Sequence, residues 1–237
     1  MHLRWAEFNA NSGRAALVLA GFLVLIGHLA ASRDHRHGGA EFTGTLPASQ
    51  RRRTAGLLAF IPVAGAVGAL AGGVELLVLI PSRLTGRFDP WLVAVPVLIP
   101  MIGAALGVAA GLWWPSAPAG PLTLFAAAAV LATLPVLGSN AADLPWSLFP
   151  VVLDQAVSPE TAGWHVLYLV ALLAVLLGFA LARHWGRWAT IVVALALVAA
   201  VVSVHRQQTE QHSGRTAAAV SPCPQPMQSR LAIAPRR

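Results

Sequence analysis

Residues 33–53 read RDHRHGGAEFTGTLPASQRRR, a polar, arginine-rich stretch held between two long apolar runs. Arg33, Asp34 and Arg36 leave the first run, and Arg51, Arg52 and Arg53 enter the second. Arginines at both ends of a short loop hold it on the cytoplasmic side of a membrane. If helix resumes after Ser49, the three arginines fall in its first turn, where the macrodipole disfavours positive charge. Helix stability therefore does not explain them, whereas attraction to the anionic inner leaflet does. Between the charged ends, Gly38 and Gly39 break the chain, and 41–46 forms at most one helical turn before Pro47. Phe42 and Leu46 are then i and i+4 on one face. This is either an apolar knob that a partner or a lipid surface covers, or two incidental apolar residues on a solvated loop.

Composition places the rest of the chain in the same setting. Of 237 residues, 57% are hydrophobic and 11% charged, and the mean hydropathy is +0.68. An ordinary soluble domain is less apolar and more charged. The expected fold class is all-α, a polytopic transmembrane bundle of about six spans. All 16 basic residues are arginine, which excludes a P-loop lysine and a Schiff-base lysine. A formal charge of +7 would point to nucleic acid in a soluble protein. Here the arginines flank apolar runs, so the expected partner is the lipid bilayer and not nucleic acid. Cys223 is the only cysteine, so no internal disulfide forms.

The apolar runs predict spans at about 15–32, 54–80, 91–114, 122–138, 163–182 and 188–204. Residues 1–14 are then an external segment, 33–53 a cytoplasmic loop, and 205–237 a polar tail expected to be disordered. A signal peptide competes for the first run, because Leu29-Ala30-Ala31 resembles a small-residue cleavage site. The long leader containing Glu7 counts against it. Small residues recur every fourth position at Gly68 and Gly72 in the second run and at Gly103, Gly107 and Gly111 in the third. Such rows let helix backbones approach closely. These two runs are the expected packing helices, with Pro96 and Pro100 kinking the third. Trp91, Trp113, Trp114, Trp164, Trp185 and Trp188 fall at span ends, as an aromatic belt does.

With 33–53 inside, the inner loops carry Arg33, Arg36, Arg51, Arg52, Arg53, Arg183 and Arg187. The outer segments before the tail carry Arg4, Arg14, Arg83 and Arg87, so the balance favours this orientation. The tail's five arginines count against it, unless the sixth span fails to cross.

The pattern R-D-H-R-H-G-x-x-E-F-x-x-T-L-P-A-S-x-R-R-R between two apolar spans resembles the intracellular loop of actinobacterial permeases of the type-2 ABC transporter class. A second likeness is at 163–183, GWHVLYLVALLAVLLGFALAR, similar to the W-H-x-L-Y-L opening of a late span in those permeases. The resemblance runs loosely over about 15–204. It implies a permease subunit, an exporter by expectation, in the cell membrane. Its partners are a separate ABC ATPase subunit and a second permease subunit, identical or not. It further implies that Arg33, Arg36, His37, Glu41, Phe42, Leu46 and Pro47 belong to the loop that couples to the ATPase, with Arg51–Arg53 at the membrane surface. Family members begin inside and place this loop between their second and third spans, so one N-terminal span is expected to be missing. A non-transporting membrane anchor or assembly protein, and a truncated permease fragment, are the competing readings.

Other polar residues carry weaker chemistry. His28, His35 and His37 with Asp34 and Glu41 have no cysteine or H-E-x-x-H beside them, so no metal is expected. Glu75 is the one carboxylate inside a predicted span. It either lines a functional site or snorkels to the headgroups. Asp143, Asp154 and Glu160 lie in an acidic outer loop whose composition topology alone explains, and His165 is expected at the interface. There is no G-x-S-x-G, no glutamate pair on a span and no cofactor motif, so no catalytic residue is assigned and the chain is not expected to be an enzyme.

Overall fold

The computed structural model describes residues 5–36, 50–79, 88–138, 148, 150 and 159–220, and every regular element among them is helical. We number the helices α1 (Trp5–Arg36), α2 (Gln50–Leu58), α3 (Phe60–Leu79), α4 (Pro90–Trp113), α5 (Ala119–Gly138), α6 (Pro159–Trp185) and α7 (Arg187–Val220). Five stretches are long and apolar enough to cross a bilayer: Phe8–Arg33, Arg52–Leu79, Pro90–Trp113, Thr161–Ala182 and Trp188–Glu210. The apolar part of α5 described in full, Ala119–Thr133, is shorter. The chain is thus a multi-pass helical membrane protein.

Local sequence explains where the elements begin and end. Asp89 caps α4, its Oδ1 accepting from the Trp91 N–H at 2.9 Å, and Pro90 occupies the first helical position, where its missing N–H costs nothing. Gly186 ends α6 with φ of 51°, a left-handed conformation that glycine adopts without strain. The break between α2 and α3 at Ala59 lies three residues before Pro62. Proline has no N–H to give the Leu58 carbonyl, so the ladder is interrupted there. Pro96 and Pro100 also lie inside α4, which nevertheless continues as one helix.

Helix α4 is the hub. Its buried residues contribute to three apolar clusters in turn along the axis. Val95 and Ile99 pack with Ala16, Ala20, Val166 and Leu169. Ala104 and Ala105 pack with Leu23, Ile61, Ala64 and Leu173, and Val108, Ala109 and Leu112 with Ala31 and Ala180. The most extensive helix pair is α1 with α4, followed by α6 with α7. Residue pairings fix directions: Ala20, Val24 and His28 of α1 face Gly103, Gly107 and Gly111 of α4, so these helices are parallel. Gly65 and Gly68 of α3 meet Met101 and Val97 of α4, an antiparallel pairing. The bundle therefore has one end holding the starts of α1, α4 and α6, and a second holding the ends of α1, α4 and α6 and the start of α2. The end of α1 and the start of α2, at that second end, carry Arg33, Arg52 and Arg53.

Two elements differ in extent from the sequence expectation. Helix α1 begins ten residues before the apolar run, with Phe8 and Ser12 buried in the segment expected to be external. Helix α7 continues sixteen residues beyond 204, so the first half of the expected disordered tail is helical. Residues 221–237 lie outside the described residues.

Candidate functional site

The glycine row of α4 has its partner in α1. A Cβ at Gly103 would come within 2.5 Å of the Ala20 carbonyl oxygen, and one at Gly111 within 2.8 Å of the His28 carbonyl oxygen. At Gly107 the added atom would collide with the Val24 backbone. Gly27 of α1 answers from the other side, where a Cβ would lie 2.9 Å from the Ala104 carbonyl oxygen. The seam is thus glycine against backbone in both directions, close enough for dispersion and Cα–H···O contact along about two turns. The sequence marks the second and third runs as packing helices without naming their partners; α4 turns its row to α1.

The row on α3 divides. At Gly68 a Cβ would lie 2.6 Å from the Pro96 carbonyl oxygen and 2.9 Å from Pro100 Cγ. That carbonyl is the one whose helical donor Pro100 cannot supply, so Gly68 lets α3 approach a freed acceptor. At Gly72, one turn further, nothing lies within 4 Å. Glu75 is half-buried on α3, and no side chain among the described residues pairs with it.

At the end of the bundle holding the start of α6, a polar cluster joins α6 to α7. The Glu210 carboxylate accepts from Thr161 Oγ1 and from the Trp164 indole N–H, both at 3.0 Å, and the Arg206 guanidinium lies 6.0 Å from the Trp164 ring. His165 is buried and donates from Nε2 to the Pro150 carbonyl at 3.2 Å, while the Tyr168 hydroxyl donates to the Leu148 carbonyl at 3.3 Å. Gln207, 2% exposed, lies beside the His165 ring, and its Nε2 has no partner among the described residues. Residues 161, 164, 165 and 168 fall at i, i+3, i+4 and i+7, and so do 203, 206, 207 and 210, so each helix turns one polar face to the other. The W-H-x-L-Y-L motif is therefore filled by packing roles, with Leu169 fully buried. His165 is a buried tie near the start of α6. The polar face of α7 was missed, although its helical spacing was readable in residues 203–210.

At the opposite end, His28 is 1% exposed and donates from Nε2 to the Ser116 carbonyl at 3.1 Å, tying α1 to the α4–α5 turn. Trp113 stacks on Phe179 with ring centroids 4.9 Å apart and donates its indole N–H to the Phe179 carbonyl at 3.0 Å. Arg33 and Arg52 are exposed at this end, Arg53 is half-buried and Thr54 buried. Arg36 and Arg51 fall in α1 and α2, with side chains that are not described. His37, Glu41, Phe42, Leu46 and Pro47 lie outside the described residues, as do Asp143 and Asp154. No group of three His, Cys, Asp or Glu side chains comes together among the described residues. What the described arrangement offers chemically is a rigid seam, a polar tie at one end, and one carboxylate on a splayed helix. The chain matches no family model, no curated protein and no solved structure.

Proposed function

We propose that this chain is the permease subunit of an ABC transporter in the cell membrane, an exporter that borrows ATP hydrolysis from a separate ATPase and works with a second permease subunit. The observation that supports the reading is where the helices on either side of 37–49 lie. Helix α1, the helix locked most closely to the hub, ends and α2 begins at the same arginine-carrying end of the bundle. A displacement of the segment by a bound ATPase passes into α1 and through the Gly27, Gly103, Gly107 and Gly111 seam into α4. Helix α3, by contrast, is held at Ile61, Ala64, Gly65 and Gly68 and is mostly exposed beyond. Rigid transmission and one loosely held helix are what alternating forms of a permease need. The ATPase biases those forms only insofar as it binds them with different affinity.

The test is capture of an ABC ATPase encoded beside this chain from detergent extracts, comparing the natural chain with Phe42→Asp plus Leu46→Asp. The expected outcome is capture by the natural chain and its loss in the double variant, with the unfolding temperature unchanged. If the natural chain captures no ATPase, the permease reading fails and a membrane anchor takes its place.

A further inference from the structure

Ile61, Ala64, Gly65 and Gly68 form the face that α3 turns to the bundle. Continued at 3.6 residues per turn, that face carries Gly72, Glu75, Leu76 and Leu79. All four are half-buried, while Val74, Leu77 and Val78 on the other faces are exposed. Glu75 is therefore turned towards the bundle side and not outwards to lipid. Yet the bundle has moved away: a Cβ at Gly72 would meet nothing within 4 Å, where one at Gly68 would collide with Pro96. The antiparallel register that sets Gly68 against Val97 brings Gly72 level with Val93 and Glu75 level with Pro90. Val93 lies one turn from Val97 on the α4 face that meets α3, and it is still 37% exposed. Helices α3 and α4 thus part beyond Gly68, and a cleft opens between them towards the end of the bundle opposite the 33–53 segment.

The cleft has apolar walls, a floor at Gly68 and Pro96, and one carboxylate. Glu75 lies four residues before the end of α3, about 6 Å along the axis, which is just beneath the headgroups of a bilayer spanned by α3. A carboxylate at that depth calls for a cationic partner. Among the described residues no arginine pairs with it; Arg83 and Arg87, in the link between α3 and α4, lie outside the described residues, and the chain has no lysine. Asp89 at the start of α4 adds a second negative charge near the mouth, its Oδ1 engaged with the Trp91 N–H.

We propose that the α3–α4 cleft binds a hydrophobic organic cation, its apolar body against Gly72 and Val93 and its positive group on the Glu75 carboxylate. Charge complementarity selects this occupant over a neutral lipid tail, which needs no carboxylate. Taken as exported cargo, the cation rests on the permease reading; its binding to the isolated chain does not.

The experiment uses the full chain in phosphatidylcholine nanodiscs, with rhodamine 6G as the cationic probe, Nile red as the neutral one, and fluorescence polarisation as the readout. Glu75→Gln is expected to weaken rhodamine 6G by about tenfold or more, the loss of one desolvated charge partner, and to leave Nile red unchanged. Glu75→Asp keeps the charge and is expected to retain most of the affinity. Gly72→Leu puts a side chain into the cleft from a position whose Cβ meets nothing within 4 Å, so it is expected to fold with an unchanged unfolding temperature and to weaken both probes. The proposal is overturned if rhodamine 6G binds the natural chain no better than empty discs, or if Glu75→Gln binds it as tightly. It is equally overturned if Glu75→Gln weakens both probes alike, or if Gly72→Leu weakens neither; should Glu75→Gln not fold, the Gly72→Leu outcome decides. Cation binding without ATPase capture would leave the site standing and remove only its role in export.

Discussion

At Gly107 a methyl group would fall on the backbone of Val24, and helix backbone has no rotamer with which to give way. At Gly72 the same methyl group meets open space. Both residues belong to rows of small residues at four-residue spacing, and the spacing says nothing of the difference. Overpacking a tight interface costs roughly 1–3 kcal/mol. Glycine to alanine at an unobstructed helical position gains up to about 1 kcal/mol from propensity. Gly107→Ala is therefore expected to lower the thermal unfolding midpoint in detergent and Gly72→Ala to leave it equal or raise it. Equal losses at both would mean that α3 packs along its whole length and that the cleft does not exist. Gly68 belongs with Gly107, because its obstacle is also backbone, the Pro96 carbonyl that Pro100 leaves without a helical donor.

Among the elements, α7 shows most clearly what hydropathy leaves out. Its apolar run ends near Val204, and hydropathy reads the polar residues beyond as tail. The helix continues because Ser203, Gln207 and Glu210 extend the face that packs on α6, and burial there is offset by hydrogen bonds instead of apolar contact. Glu210→Ala removes the acceptor of both Thr161 and Trp164 and is expected to cost about 1–3 kcal/mol, read as a lower unfolding midpoint. In a double-mutant cycle with Thr161→Val the effects are expected to be less than additive by about 0.5–1.5 kcal/mol, because the two residues share one bond. Full additivity would mean that α7 has frayed before Glu210. The α1 seam makes the same point from the apolar side. That α4 carries a close-packing surface was legible in Gly103, Gly107 and Gly111. Its partner was not, since a groove of glycines accepts any helix with small residues, and only the three-dimensional arrangement selects Ala20, Val24 and Gly27. The apolar runs announced the helices themselves because a membrane leaves the backbone no other partner than its own carbonyls. Glu75 was legible as the one acidic residue within an apolar run; that it faces a gap was not, because the gap is a relation between α3 and α4.

For the molecule as a whole, helix directions place the start of α1 and the far end of α7 at the same end, opposite the 33–53 segment. Orientation then turns on which arginines count. The connections between helices put Arg33, Arg36, Arg51, Arg52, Arg53, Arg183 and Arg187 at one end and only Arg83 and Arg87 at the other. Short connections carry the most weight in setting orientation, and terminal segments less. This outweighs Arg4 and Arg14 at the start of the chain, Arg206 and Arg215 in the last part of α7 and Arg230, Arg236 and Arg237 beyond it, of which Arg206 is already engaged over the Trp164 ring. The arginine-rich connections should therefore face the cytoplasm. The chain supplies its own probe, since Cys223, its only cysteine, follows the end of α7 at Val220. A membrane-impermeant maleimide is expected to label Cys223 in intact cells. Once Cys223 is replaced by serine, a cysteine placed at Gly44 should be labelled only after the membrane is opened. Labelling of Gly44→Cys from outside, with Cys223 protected, would invert the molecule, put the 33–53 segment beyond the reach of any ATPase, and turn the mouth of the Glu75 cleft towards the cytoplasm.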